Sequence, residues 1–181
     1  GWNCGYTSAV ESGDEALANE RMRQFYKLDS VVHGKQNAIS YGFMDGLGIL
    51  PLEKAWMNVI GRPEGAKGFQ NVEAGMQKAA EMYPVLNSEA FLAGRYAQLR
   101  TLGELTGMGL NAFGASGPYV PYIRAGLTFG ASQAIQESGD LATGRITLPE
   151  YLNHLSKAEK QGMLAQALGE LFAAGYYGAH Y

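Results

Sequence analysis

The stretch ISYGFMDGLGIL, residues 39–50, decides how this chain is read. Ile39, Phe43 and Leu47 recur at helical spacing, and Gly42, Gly46 and Gly48 sit among them. Glycine inside a helix costs about 1 kcal/mol relative to alanine. Three of them need a reason. Glycines four residues apart form a flat stripe, on which another backbone or an aromatic ring can lie close. The stripe is therefore either a close helix contact or a slot for a flat ligand. Asp45, a carboxylate, sits in the middle of it.

The rest of the chain is helical in pattern on both sides of this stretch. Ser12-Gly13-Asp14-Glu15 reads as a capping box, with Ser12 at the N-cap, and Ala18, Met22, Phe25 and Val32 follow at helical spacing. HGKQN (33–37) reads as a break. Pro51 opens a short helix, and GRPEGAKGF (61–69) is a loop by composition. Asn71 caps a helix whose apolar stripe is Val72, Met76, Ala79, Ala80 and Tyr83, and Pro84 stops it. Ser88 starts another, with Leu92, Tyr96 and Leu99 on one side. GMGLNAFGASGP (107–118) is the longest glycine-rich loop, and a helix follows at about 120–137. Thr147-Leu148-Pro149-Glu150 and Ser156-Lys157-Ala158-Glu159 are two more capping boxes. The last helix carries Leu164, Leu168, Leu171 and Gly175. The expectation is an all-α helical bundle of seven or eight helices, a single all-helical domain over 1–181, with no convincing strand.

The opening stretch has an echo. AISYGFMDGLG (38–48) can be laid on YIRAGLTFGAS (122–132), matching Ile39 with Ile123, Gly42 with Gly126 and Gly46 with Gly130. Leu-Gly-Glu-Leu occurs at 102–105 and 168–171. Residues 38–105 and 122–177 thus read as two related helical halves, or as a coincidence of glycine- and alanine-rich composition. The two striped helices are the natural central pair of such a bundle. Packed antiparallel, they would bring Asp45 near Arg124 as an ion pair or polar cluster with Tyr41 or Tyr122. The alternative is an Asp45 that faces solvent.

Composition bounds the function. Of 181 residues, 46% are hydrophobic and only 17% charged, with a net charge of −3. The charged share is below the usual quarter, which suits a partner-facing or assembled protein. Nothing in it argues for nucleic acid or an acidic membrane. No run is long and apolar enough for a membrane span, since Asp45 interrupts one candidate and Arg124 the other. Cys4 is the one cysteine, so no intrachain disulfide forms, and a link between chains through Cys4 stays open. The start at Gly-Trp-Asn-Cys fits a mature exported chain, periplasmic or extracellular, or a trimmed one.

No motif states a reaction. His33, His154 and His180 have no partner at metal-site spacing. GASGP (114–118) lacks the strand-to-helix setting of a nucleophile elbow. SGDLATGRITLPE (138–150) keeps only Glu150 of a calcium loop's ligands. ESG (11–13) resembles the glutamate motif of lytic transglycosylases, but here a helix begins after it. The sequence calls for no cofactor, no metal and no catalytic residue. Tyrosines are the other resource, and GPYVPY (117–122) stiffens a loop with two prolines and presents Tyr119 and Tyr122.

GLTFGASQAI (126–135), GRITLPEYL (144–152) and LAQALGELFAAGY (164–176) together resemble the small helical periplasmic immunity proteins that neutralise type VI secretion amidase effectors. The resemblance covers about a third of the chain. The cysteine pair of that family has no counterpart here. The resemblance implies an exported, all-helical protein that binds a partner. The expected activity is therefore non-catalytic binding, to another protein or to itself, with Tyr41, Asp45, Tyr119, Tyr122 and Arg124 as contact residues. A small-ligand or cofactor carrier with a slot between the striped helices is the alternative, and an enzyme such as a lytic hydrolase is third.

Overall fold

Periodicity and capping put helices almost everywhere, and the computed structural model, which describes residues 13–60 and 63–178, contains seven helices and no strand among them. They are α1 (Glu15–Val32), α2 (Gly34–Leu47), α3 (Ile49–Ile60), α4 (Pro63–Met82), α5 (Pro84–Ala112), α6 (Val120–Ala142) and α7 (Leu148–Gly178). The all-α expectation holds. Ser12, Cys4 and His180 lie outside the described residues. The chain divides into two compact units, Gly1–Arg95 and Tyr96–Tyr181, so the boundary falls within α5.

In the first unit α4 packs against α1, α2 and α3. Asp14 caps α1, its carboxylate accepting from the Leu17 amide at 3.0 Å. The loop expected at 61–69 is helical from Pro63 onward. Proline at the first helical position loses no hydrogen bond, and the glycines after it are tolerated inside a long amphipathic helix. Pro84 acts in two ways. It ends α4 at Met82 and opens α5, so only Tyr83 separates the two helices.

The glycine stripe of α2 is filled by a helix. Gly34, Ala38, Gly42 and Gly46 are all buried at four-residue spacing. A Cβ on Gly42 would lie 2.2 Å from the Asn87 carbonyl oxygen, and one on Gly46 would lie 2.1 Å from that of Phe91. Gly94 of α5 answers from the other side: its Cβ would fall 2.3 Å from the Phe43 oxygen. Residue numbers rise together along the contact, so α2 and the start of α5 run parallel. Backbone touches backbone, and only glycine allows it.

In the second unit α6 and α7 form an antiparallel hairpin. Gly126 meets Met163 and Gly130 meets Glu159, while Gly162 of α7 lies under the Ala125 oxygen. The turn is written in the sequence. Gly144 has φ +71, the Arg145 amide donates to the Asp140 oxygen and the Gly144 amide to that of Leu141, which closes α6. The Thr147–Glu150 box then opens α7: the Thr147 amide donates to Glu150 Oε2 at 2.8 Å and the Glu150 amide to Thr147 Oγ1 at 3.4 Å. The other expected box, Ser156–Glu159, is interior to α7, because nothing breaks the helix there. The opposite side of α6 carries small polar residues toward the second half of α5. Thr128 meets Thr106 at 2.9 Å, and buried Ser132 donates to Gln98.

The two glycine-striped helices, expected to form the central pair, fall in different units. Each stripe receives a different helix within its own unit, α5 for α2 and α7 for α6. The matched glycines face a neighbouring helix in both halves, its backbone at Gly42 and Gly46 and chiefly the Met163 and Glu159 side chains at Gly126 and Gly130, and that helix is parallel in one half and antiparallel in the other.

Candidate interaction surface

Close helix contact has a consequence for side-chain size. Backbones that touch leave room between them only for small groups. Among the described residues, the buried apolar positions are Ala18, Ala38, Ala79, Ala80, Ala90, Ala158 and a single leucine, Leu50. The large apolar side chains are half-buried, as Phe91, Leu99 and Phe129 are, or exposed. Of Leu92, Tyr96 and Leu99, expected on one side of their helix, the first two are exposed and Leu99 is half-buried. Leu164, Leu168 and Leu171 of the last helix are exposed as well.

On α7 the residues that meet α6 are Ala158, Glu159, Gly162 and Met163, with His154 and Tyr151 earlier in the helix. Leu164, Leu168 and Leu171 fall on the other side of the helix at 3.6 residues per turn. Their exposures are 59%, 45% and 68%, and the adjoining Phe172 is 76% exposed. The four-then-three spacing is that of a helix-packing seam. No charged residue interrupts it on that side between Leu164 and Leu171. Glu170 points toward α6, where it accepts from the Tyr122 hydroxyl.

The residues singled out from the sequence are divided between the two units, Tyr41 and Asp45 in the first and Tyr119, Tyr122 and Arg124 in the second. Tyr119 precedes α6 and is largely exposed. Tyr122 is tied to Glu170. Arg124 lies over Gly107 and donates from Nε to the Gly103 oxygen at 2.7 Å, so it braces α6 on α5. Tyr41 and Asp45 belong to the first unit. Burial, then the charges of Asp45 and Glu73, push the Tyr41 hydroxyl up to about 12. Burial first, and Glu73 second, raise the Asp45 carboxyl above its ordinary value, with Lys54 opposing. Asp45 and Arg124 thus each have charged or polar neighbours inside their own unit.

Two polar clusters were not foreseen. Asp29 takes His33 Nδ1 at 2.8 Å on one oxygen and Asn37 Nδ2 at 2.6 Å on the other. The four-residue spacing of Asp29, His33 and Asn37 is a signal that the expected break at 33–37 obscured. Glu137 holds His154 and Gln133. That cluster joins two helices and has no local signature. Among the described residues no group of three or more His, Cys, Asp or Glu side chains is placed to hold a metal ion, and no helix is long and apolar enough to cross a membrane.

Compared with protein-family models, curated proteins and solved structures, the chain matches none.

Proposed function

We propose that this is a binding protein, acting without catalysis, and that the outer face of α7 is its contact surface. The observation that carries the reading is the seam of Leu164, Leu168 and Leu171, exposed on the side of the helix away from α6. Large exposed apolar patches mark interaction sites. The four-then-three spacing fits a helix laid alongside, and the chain's own α7 in a second copy is one helix with a matching seam. The resemblance of residues 122–177 to exported immunity proteins supports a location outside the cytoplasm and a protein as the partner.

Sedimentation equilibrium of the chain and of its Leu168→Lys variant tests this, alongside binding of a fluorescent apolar dye. A dimer that the variant weakens by roughly tenfold or more, the effect of one central interface residue, assigns the face to self-association. A monomer that binds the dye, with binding lost in the variant, assigns it to a different protein. A monomer that does not bind the dye overturns the reading.

A further inference from the structure

Two helix interruptions meet in the first unit. His33 separates α1 from α2 with φ −110 and ψ 22, and Tyr83 separates α4 from α5. They touch through Gly34: a Cβ there would lie 2.7 Å from Tyr83 Cε2, so the ring rests on the bare glycine backbone. Around this contact a cavity of about 320 Å³ is lined by Val32, His33, Gly34, Lys35, Gln36 and Tyr83. Its volume lies at the lower end of the range of small-molecule sites.

The lining has a definite chemical character. Among the described residues it includes a lysine, a histidine and an amide, and no carboxylate. The nearby carboxylate, Asp29, has both oxygens engaged, one by His33 and one by Asn37. The Asn37 bond, and then the His33 bond, hold the Asp29 carboxyl below its ordinary value, so it is ionised at neutral pH. An ionised Asp29 accepts the hydrogen bond of His33 Nδ1–H, which fixes the orientation of the ring; in the imidazolium form the ring then has Nε2–H left to donate to an anion. The α2 helix starts at this point with no acidic residue in its first turn and no side-chain cap. Val32 and the Tyr83 ring supply apolar wall.

We propose that the pocket where the two helix breaks meet is a binding site for a small organic anion, its phosphate or carboxylate head held by His33 and Lys35 and its apolar body set against Tyr83. Gln36 adds an amide donor to the head. Asp29 is a positioning residue, which acts only through the imidazole. The site lies in the first unit, remote in sequence from the α7 seam, and stands or falls independently of it.

Phenyl phosphate, benzoate and inorganic phosphate are the probes, titrated into the full chain while the His33 and Tyr83 ring resonances are followed by NMR. Phenyl phosphate is expected to give saturable shifts of both rings. Inorganic phosphate should bind more weakly, since it lacks the body. Benzoate binding like phenyl phosphate indicates a carboxylate or phosphate head alike, and benzoate without effect restricts the head to phosphate. Lys35→Gln and His33→Gln should each weaken phenyl phosphate by roughly tenfold, the scale of one charge-assisted hydrogen bond. Both side chains are exposed, so the fold is retained. Lys160→Gln removes the same charge from α7 and should leave binding unchanged. The proposal is overturned if no saturable shift appears, or if Lys160→Gln weakens binding as much as Lys35→Gln.

Discussion

His154 Nδ1 lies 2.8 Å from Glu137 Oε1, across the hairpin of α6 and α7. Gln133 Nε2 donates to the same carboxylate oxygen at 2.8 Å. The other oxygen, Oε2, is buried without a hydrogen-bond partner among the described residues. Glu137 therefore depends on His154 more than a surface carboxylate would. His154→Ala should cost about 1–3 kcal/mol, the penalty for leaving a buried polar group short of a partner. His154→Gln keeps a donor and should recover part of it. Urea denaturation measures both, and equal stability of the wild type and His154→Ala would show that the pair adds nothing.

The glycines divide into two classes with opposite responses to alanine. At Gly46 a Cβ falls 2.1 Å from the Phe91 oxygen and 2.9 Å from the Arg95 nitrogen. Two backbones must separate, and the gain of about 1 kcal/mol in helix propensity does not cover it. Gly46→Ala is expected to be destabilising by roughly 1–3 kcal/mol. At Gly169 in α7 a Cβ meets nothing within 4 Å. Gly169→Ala should stabilise by up to about 1 kcal/mol. Thermal melts of the two variants should shift in opposite directions, and a shared direction would be inconsistent with the described contact.

Alkaline pH addresses the half-buried hydroxyl of Tyr41. Its value in the fold, about 12, lies above the ordinary 10.0. The folded chain then holds the proton more tightly than the unfolded one. Stability from this group is complete below pH 10 and is lost as pH rises toward 12. Tyr41→Phe carries no proton there, so its urea midpoint should fall less than that of the wild type between pH 9 and pH 11.5. Parallel falls would remove Tyr41 from the account.

The α2 stripe was legible because glycine four apart has few uses, and Gly42 and Gly46 serve one of them. The identity of the helix that fills it was not, because any helix with an exposed backbone strip fits a glycine face. Gly94 was the available clue, and it sits in an alanine-rich stretch that looks like many others. The Thr147–Glu150 box marked a helix start, whereas the Ser156–Glu159 box has the same letters in the middle of α7. A capping motif acts only where the helix has a reason to begin, and Arg145-Ile146 after a closing Gly144 provides that at the first site alone. The α7 stripe was visible as a stripe. Its exposure was not, since periodicity marks an apolar face without saying what covers it. The Asp29–His33–Asn37 cluster lay within reach of a spacing argument. The Glu137–His154 pair required the hairpin.

Thiol accessibility tests most directly the claim that small residues make the core while the large apolar face of α7 is surface. In a Cys4→Ser background, Leu168→Cys and Leu171→Cys report the seam, and Ser132→Cys reports the fully buried contact of α6. The reagent is a thiol-reactive disulfide at dilute protein concentration under native conditions. The account predicts that Leu168→Cys and Leu171→Cys react about as fast as they do in urea, whereas Ser132→Cys stays protected until the chain unfolds. Protection of Leu168→Cys and Leu171→Cys equal to that of Ser132→Cys at the same dilution would place the seam inside the fold and contradict it.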